Sequence, residues 1–368
     1  MKCLHILWIT ARSFHDLCST THHHLILGLL ENRFSVTLIN GDVEPPIDHE
    51  RFVHIGLPTR ASPGFQAKTL SKSMAAWLTE STDTMPGTIA VVDWRLIGKL
   101  SSILKKRNIA WCLMDRSPPA DSGVLASLQW PIWKRAWKLA KKEGRFGCVV
   151  STSHQRFVLK KTGHHDCVVL PAGVNTDLFR PQKQLETFTM VYHGRLDKNR
   201  GLLALVLFAQ KAKSEGMDVD LVFIGEGDQK NRLQQLATSM DNVHVQETLS
   251  KLELSKLLGS CHLGLLPMPS RGVWGLASPL KRTEYISSGL AVYGLRHEGH
   301  VLEGAEPEWY ALSRQEEFHE QGLAFLRRLV EHPVDRRAIH AFAVEHLHWR
   351  KSVDALVDVL KKISQEAS

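Results

Sequence analysis

Short apolar runs alternate along the chain with stretches whose apolar residues recur every three to four positions. That is the pattern of strands separated by helices. Leu4–Ile9, Ser35–Asn40 and Phe52–Ile55 read as strands, with a helix at His22–Leu30 and a turn at Asn32-Arg33. A helix at Gln66–Leu78 precedes two further strands, Ile89–Asp93 and Ala110–Met114. Cys148–Ser151 and Cys167–Leu170 follow as strands, and a helix opens at Ser153–Lys160. A linker from Pro171 to Leu185 interrupts the pattern, which then restarts with a strand at Thr189–Tyr192, a helix at Leu202–Lys213 and a strand-turn-helix unit over Leu221–Ala237. Two or three helices are expected at the end, over Ser313–Glu331, Asp335–His346 and Trp349–Ser364. The last carries an apolar face of Val353, Leu356, Val357, Val359, Leu360 and Ile363. Strands that alternate with helices predict α/β architecture with parallel, doubly wound sheets.

Three turns carry candidate chemistry. In the stretch from Val273 to Gly294, Ser278 suits an N-cap and Pro279 the first helical position. A helix from Leu280 to Ser288 would end at Gly289. Its free N–H groups offer a phosphate site, with Lys281 beside it and Glu284 one turn on, either solvated or within reach of sugar hydroxyls. In residues 189–201 a strand ends at Gly194, and Arg195, Lys198 and Arg200 follow. Basic side chains at a strand's C-terminal end stand where open α/β sheets bind ligands, and a guanidinium there can grip a diphosphate. The third turn is Gly225-Glu226-Gly227.

Taken in order, these segments resemble the C-terminal half of the two-domain GT-B nucleotide-sugar glycosyltransferases, family 4 in particular. The resemblance rests on Gly194-Arg195-Leu196 with Arg200-Gly201, on Gly225-Glu226-Gly227, on Glu284-Tyr285 with Gly289, and on the linker Gly173-Val174-Asn175 with Phe179-Arg180-Pro181. It implies two Rossmann-like doubly wound domains facing a central cleft, with a C-terminal helix crossing back. The expected divisions are an acceptor domain at 1–172, a donor domain at 173–350 and the returning helix at 351–368. It also implies that Arg195 with Arg200 or Lys198 holds the donor diphosphate and stabilises it as it leaves. Gly194, Gly225, Glu226 and the run Ser278-Pro279-Leu280-Lys281 would frame the donor, and Glu284 would bind its ribose. Four departures stand out. Arg200 stands where the family usually carries a lysine, and Asp115-Arg116 stand at a strand end where family members often have a histidine. Leu276 occupies a position where the family carries a glutamate, and the N-terminal half lacks the family's glycine pair, having Ala11-Arg12-Ser13-Phe14-His15 instead.

Composition adds a few bounds. Over 368 residues, 43% hydrophobic and 23% charged content describes a soluble globular chain long enough for two domains. The six cysteines are scattered without a CxxC pair and read as reduced thiols. The runs His22-His23-His24 and His164-His165 place adjacent rings in different directions, so no metal site is expected. A net charge of +8 implies anionic partners. Arg12, Ser13 and His15 fall in the first strand-to-helix loop, either solvated or holding an acceptor phosphate. Asp115 ends a strand and is a candidate base for the acceptor hydroxyl, as is Asp93. Trp130, Trp133 and Trp137 share one helical stripe, with Lys134 and Lys138 on other faces. That combination is read as a membrane-surface helix, the competing reading being tryptophans in the core. Nucleic acid is not expected as a partner, since no binding motif accompanies these charges.

The sequence thus predicts a cytoplasmic, metal-independent glycosyltransferase without a resident cofactor, retaining in outcome, acting on a lipid-linked or cell-envelope acceptor and peripheral on the inner membrane face. Two alternatives stand beside it: an inactive donor-binding subunit, and a GT-B sugar-nucleotide epimerase.

Overall fold

Thirteen strands are described, in two sheets of wholly parallel pairing. β1 (His5–Ile9), β2 (Ser35–Asn40), β3 (Phe52–Gly56), β4 (Ile89–Asp93), β5 (Ala110–Met114), β6 (Gly147–Val149) and β7 (Cys167–Val169) form one sheet in the order β3-β2-β1-β4-β5-β6-β7. β8 (Phe188–His193), β9 (Val219–Ile224), β10 (Val243–Gln246), β11 (Leu263–Leu266), β12 (Ala291–Leu295) and β13 (Tyr310–Ser313) form the other, in the order β10-β9-β8-β11-β12-β13. The computed structural model describes residues 4–15, 19–60, 65–81, 87–120, 124–270, 272–302, 304 and 306–367. The chain divides into two units, residues 1–171 with 349–368, and residues 172–348. In each sheet the strand order reverses at the first strand, the doubly wound arrangement.

Both faces of the first sheet are covered, which is why its strands read as continuous apolar runs. Along β1, Ile6 and Trp8 enter one core and Leu7 and Ile9 the other, the period of two that a strand imposes. On the Trp8 side lies α1 (Thr20–Glu31). On the Leu7 side lie α2 (Gln66–Glu80), α3 (Trp94–Lys106), α4 (Val124–Lys142) and α5 (Thr152–Thr162). Asp93 caps α3, accepting from the Arg95 N–H at 2.9 Å, so this candidate base is spent on a helix end.

The tryptophans of α4 do not face outward, which corrects their expected part in a membrane-surface helix. Trp133 and Trp137 are fully buried, and Trp130 is half-buried against Trp133 and Phe157. The three-and-four spacing that gathers them on one stripe turns that stripe inward, while Lys134 and Lys138 stay exposed. The indoles of Trp133 and Trp137 serve Asp115, whose carboxylate is itself wholly buried. It accepts N–H groups from Trp133 at 2.6 Å, Trp137 at 2.9 Å and Ser117 at 3.1 Å, and His154 Nε2 stands 3.3 Å away. Burial pushes the Asp115 pKa up, but His154 and the two indoles outweigh it and hold it below the usual carboxylate value. Asp115 is therefore a structural anion, closed to an acceptor hydroxyl.

In the second unit, α6 (Leu202–Ser214), α7 (Lys230–Ala237), α8 (Lys251–Ser260), α9 (Leu280–Ser287), α10 (Phe318–Glu331) and α11 (Arg336–His346) surround the sheet. The helix expected from Ser313 begins only at Phe318, because Tyr310–Ser313 pairs with β12 as an edge strand. The last helix, α12 (Arg350–Ala367), belongs to the first unit. Its Val353 presses on Gly28 of α1, where an added Cβ would meet Val353 Cγ2 at 2.3 Å.

Asp115→Ala is expected to destabilise the first unit by about 3 kcal/mol, since it strands two indole N–H groups and an imidazole in the core. Urea unfolding checks this, and a loss under about 1 kcal/mol would contradict the account. Because the folded pKa is depressed, the contribution is full above about pH 4 and lost as pH falls through the lowered folded value.

Candidate functional site

The reversal of strand order in the second unit lies between β8 and β11, and the loops leaving these two strands carry most of the expected site. The turns after β8 and β9 come first. Gly194 and Gly225 have φ of +112° and +136°, conformations that only glycine adopts without strain. A Cβ on Gly225 would stand 2.1 Å from the Gly194 carbonyl oxygen. The two turns are then tied by the Leu196 N–H to the Glu226 carbonyl at 2.8 Å and the Gln229 N–H to the Leu196 carbonyl at 2.8 Å. Glu226 itself points its carboxylate to Lys230 at 2.6 Å on the surface.

The three basic residues of the β8 turn have different surroundings. Arg195 grips Asp197 with both ends of its fork, Nε at 3.1 Å and Nη2 at 2.9 Å. Its charge is matched by that carboxylate, a pairing the expectation for this residue did not include. Burial alone would raise the Asp197 pKa, but Arg195 outweighs it and the shift is downward. Lys198 is exposed, and its backbone N–H donates to Asp228 at 2.8 Å. Arg200 is half-buried, with Nη1 at 3.0 Å from the Met268 sulfur and its guanidinium 4.9 Å above the Trp274 ring. Its Nε is buried without a hydrogen-bond partner among the described residues. A sulfur and a ring hold the side chain in place without neutralising it.

Met268 and Trp274 belong to the loop between β11 and α9, so Arg200 spans the reversal point. Lys281 reaches the same place from α9. Its Nζ lies 4.1 Å over the Tyr192 ring, and a side chain on Gly194 would meet it at 3.2 Å. Ser278 differs from expectation. The helix starts at Leu280 after an extended Pro279, and the Ser278 hydroxyl accepts the Ala172 N–H at 3.0 Å instead of capping. Leu276 ends a 3-10 turn at Gly272–Leu276 and brings no charge.

Glu284, on the second turn of α9, faces β8. Its Oε2 stands 3.2 Å from His193 Nε2, with both side chains close to 10% exposed, at ion-pair distance without hydrogen-bond alignment. The His193 N–H donates to the Tyr285 hydroxyl at 3.2 Å, and the two rings meet edge to face at 5.2 Å. Sequence reasoning missed His193, although its place directly before the Gly194 turn was the signal available. It also left His297 in an undistinguished loop. That ring meets the Met268 carbonyl at 3.2 Å, its pKa is lowered by burial, and it braces the segment that holds Arg200. Beside the site, Lys198, Asn199, Pro267, Leu295, Phe318 and His319 line a cavity of ≈ 300 Å³.

In the first unit, the loop with Arg12, Ser13 and His15 is tied to an acid. Asp42 accepts the Phe14 N–H at 2.7 Å, and Asn40 donates to the Arg12 carbonyl at 3.2 Å. The His15 N–H donates to the Ser13 hydroxyl at 3.2 Å. Burial pushes the Asp42 pKa up, yet the Phe14 N–H, Ser13 and Asn40 outweigh it and keep it low. An ionised carboxylate held against this loop from the end of β2 opposes the phosphate expected there. Among the described residues no group of three His, Cys, Asp or Glu is placed to hold a metal ion.

Residues 187–326 match the family described as Glycosyl transferases group 1. No curated protein sequence matches the chain. Among solved structures, sucrose-phosphate synthase from Thermosynechococcus elongatus is similar with a TM-score of 0.78 and 14% identity, covering 99% of this chain and 100% of that one. A glycosyltransferase from Rickettsia africae gives 0.72 and 13%, covering 99% of each. HepE of Anabaena, solved in complex with UDP-glucose, gives 0.71 and 12%, covering 98% of this chain and 100% of that one. At these identities the likeness establishes the GT-B fold of two Rossmann-like units.

His193→Ala and Glu284→Gln, alone and together, test the pairing of strand and helix. Each single change is expected to cost on the order of 2 kcal/mol, with a coupling of about 1 kcal/mol in the double-mutant cycle measured by urea unfolding. Additive losses would mean that the two side chains do not interact.

Proposed function

We propose that this chain, a GT-B glycosyltransferase whose residues 187–326 form a group 1 glycosyl transferase domain, moves a sugar from a nucleotide-diphosphate donor to an acceptor hydroxyl. The observation that carries the donor assignment is Arg200, a charged side chain braced by a sulfur and a ring with one buried N–H left unpaired. Such a group is preorganised for an anion. Lys281 adds a second cation at the β8–β11 reversal, and Lys198 a third on the exposed rim. Arg195 joins them by exchanging Asp197 for a phosphate oxygen. As the bond from the anomeric carbon to the β-phosphate oxygen breaks, negative charge collects on the diphosphate. Cations aimed there stabilise the transition state more than the bound donor. Glu284, oriented by His193, binds the ribose hydroxyls. HepE, described with UDP-glucose, is consistent with a donor of this class.

With Asp115 enclosed by indoles and Asp93 capping a helix, neither candidate base is open to substrate. That favours a retaining reaction in which the departing diphosphate takes the acceptor proton, with cationic side chains in the place of a metal. The acceptor falls in the class of lipid-linked or cell-envelope glycans, and the exposed lysines of α4 support work beside an anionic surface at the inner face of the membrane. A second reading, a donor-binding subunit without turnover of its own, is favoured by Leu276, where a family glutamate is missing.

Release of nucleoside diphosphate from a panel of nucleotide sugars separates the two. The enzyme reading expects release that rises with added acceptor and falls about a hundredfold in Glu284→Ala, the loss of charged hydrogen bonds to a ribose. Donor binding with no release under any acceptor supports the subunit reading.

A further inference from the structure

The basic residues of the first unit are segregated onto one helical layer. α2, α3, α4 and α5 carry two, four, five and three Lys or Arg residues, against a single acid, Glu80. Of these fourteen, only Arg95 is half-buried and the rest are exposed. The opposite layer, α1 with α12, is balanced: four Lys or Arg residues against four Asp or Glu. Large apolar side chains stand among the lysines instead of in the core. Leu128 and Ile132, one turn apart on α4, are 61% and 47% exposed, Phe65 at the start of α2 is 52% exposed, and Leu159 on α5 is 40% exposed. Lys68 Nζ lies 5.9 Å from the Phe65 ring centroid, so cation and apolar group share one patch.

We propose that this α2–α5 layer docks on an anionic lipid bilayer. The lysines and Arg135 meet the headgroups, while Leu128 and Ile132 enter the interface beside them. The exposed apolar residues decide against nucleic acid. A phosphate backbone rewards charge alone and would leave them in water. Charge on one layer and balance on the other also fix which side meets the surface. Trp133 and Trp137 take no part, being committed to Asp115 beneath the same helix. The surface stands on charge and exposure in the first unit, and it survives if the donor reading fails.

The test is co-sedimentation of the full chain with phosphatidylcholine vesicles, with and without phosphatidylglycerol. Pelleting is expected only with the anionic vesicles. Lys134→Glu with Lys138→Glu should weaken it about tenfold or more, as removal and reversal of charges near a charged surface requires. Leu128→Ser with Ile132→Ser should weaken it too. Lys361→Glu with Lys362→Glu, on the opposite layer, should change it by less than about threefold. Circular dichroism of each variant confirms an intact fold. Three results overturn the proposal: no pelleting with phosphatidylglycerol, equal losses from both layers, or an unchanged Leu128/Ile132 variant. The last, together with binding of a DNA duplex probe lost on the Lys134/Lys138 reversal, would make this a polyanion surface.

Discussion

Everything at the candidate site depends on the close approach of two backbone turns. At the ends of β8 and β9 the turns lie so close that a Cβ on Gly225 would stand 2.1 Å from the Gly194 carbonyl oxygen, and the Leu196 and Gln229 hydrogen bonds lock them. That contact fixes the β8 turn against its neighbour on one side. Its free side then faces β11 at the reversal of strand order, where parallel sheets leave space for a ligand. Arg200, anchored on Met268 and Trp274, and Lys281, lying over Tyr192, are delivered to that space by rigid elements. A side chain at Gly194 would displace the lysine, and one at Gly225 would part the turns.

The two sheets share a winding and use their strand ends differently. In the second unit the ends of β8 and β11 gather cations, of which Arg195 pairs with Asp197 while Arg200 is braced by a sulfur and a ring. In the first, the end of β5 is closed: Asp115 is wrapped by two indoles and an imidazole, and Arg116 donates to the Leu170 carbonyl at 2.7 Å. The polar residues that look catalytic by position there are stability devices. What the first unit presents to its surroundings is the charge of its outer helices.

Much of this was legible in the sequence, for physical reasons. Strands buried on both faces give unmistakable apolar runs, and glycine turns before basic residues mark where a parallel sheet binds anions. What misled was direction. Periodicity gathers Trp130, Trp133 and Trp137 on one stripe without saying which way the stripe faces, and the core claimed it. Pairing was also invisible. Arg195 finds Asp197 two residues on, Ser278 finds the Ala172 N–H across the linker, and Glu284 finds His193 on another element. Tyr310–Ser313 escapes notice as a strand, with only Ser313 given an element and that a helix, because an edge strand of four residues leaves too short a pattern.

The most direct test is a thermal-shift titration of nucleoside diphosphates against the wild type and Arg200→Ala. The account predicts a saturable rise in melting temperature for one base. In the variant the affinity should fall ten- to a hundredfold, about the 1.5–3 kcal/mol of a charge-assisted hydrogen bond. An equal shift in both proteins would remove Arg200 from the site. No shift with any nucleotide would contradict a donor site at the β8–β11 reversal.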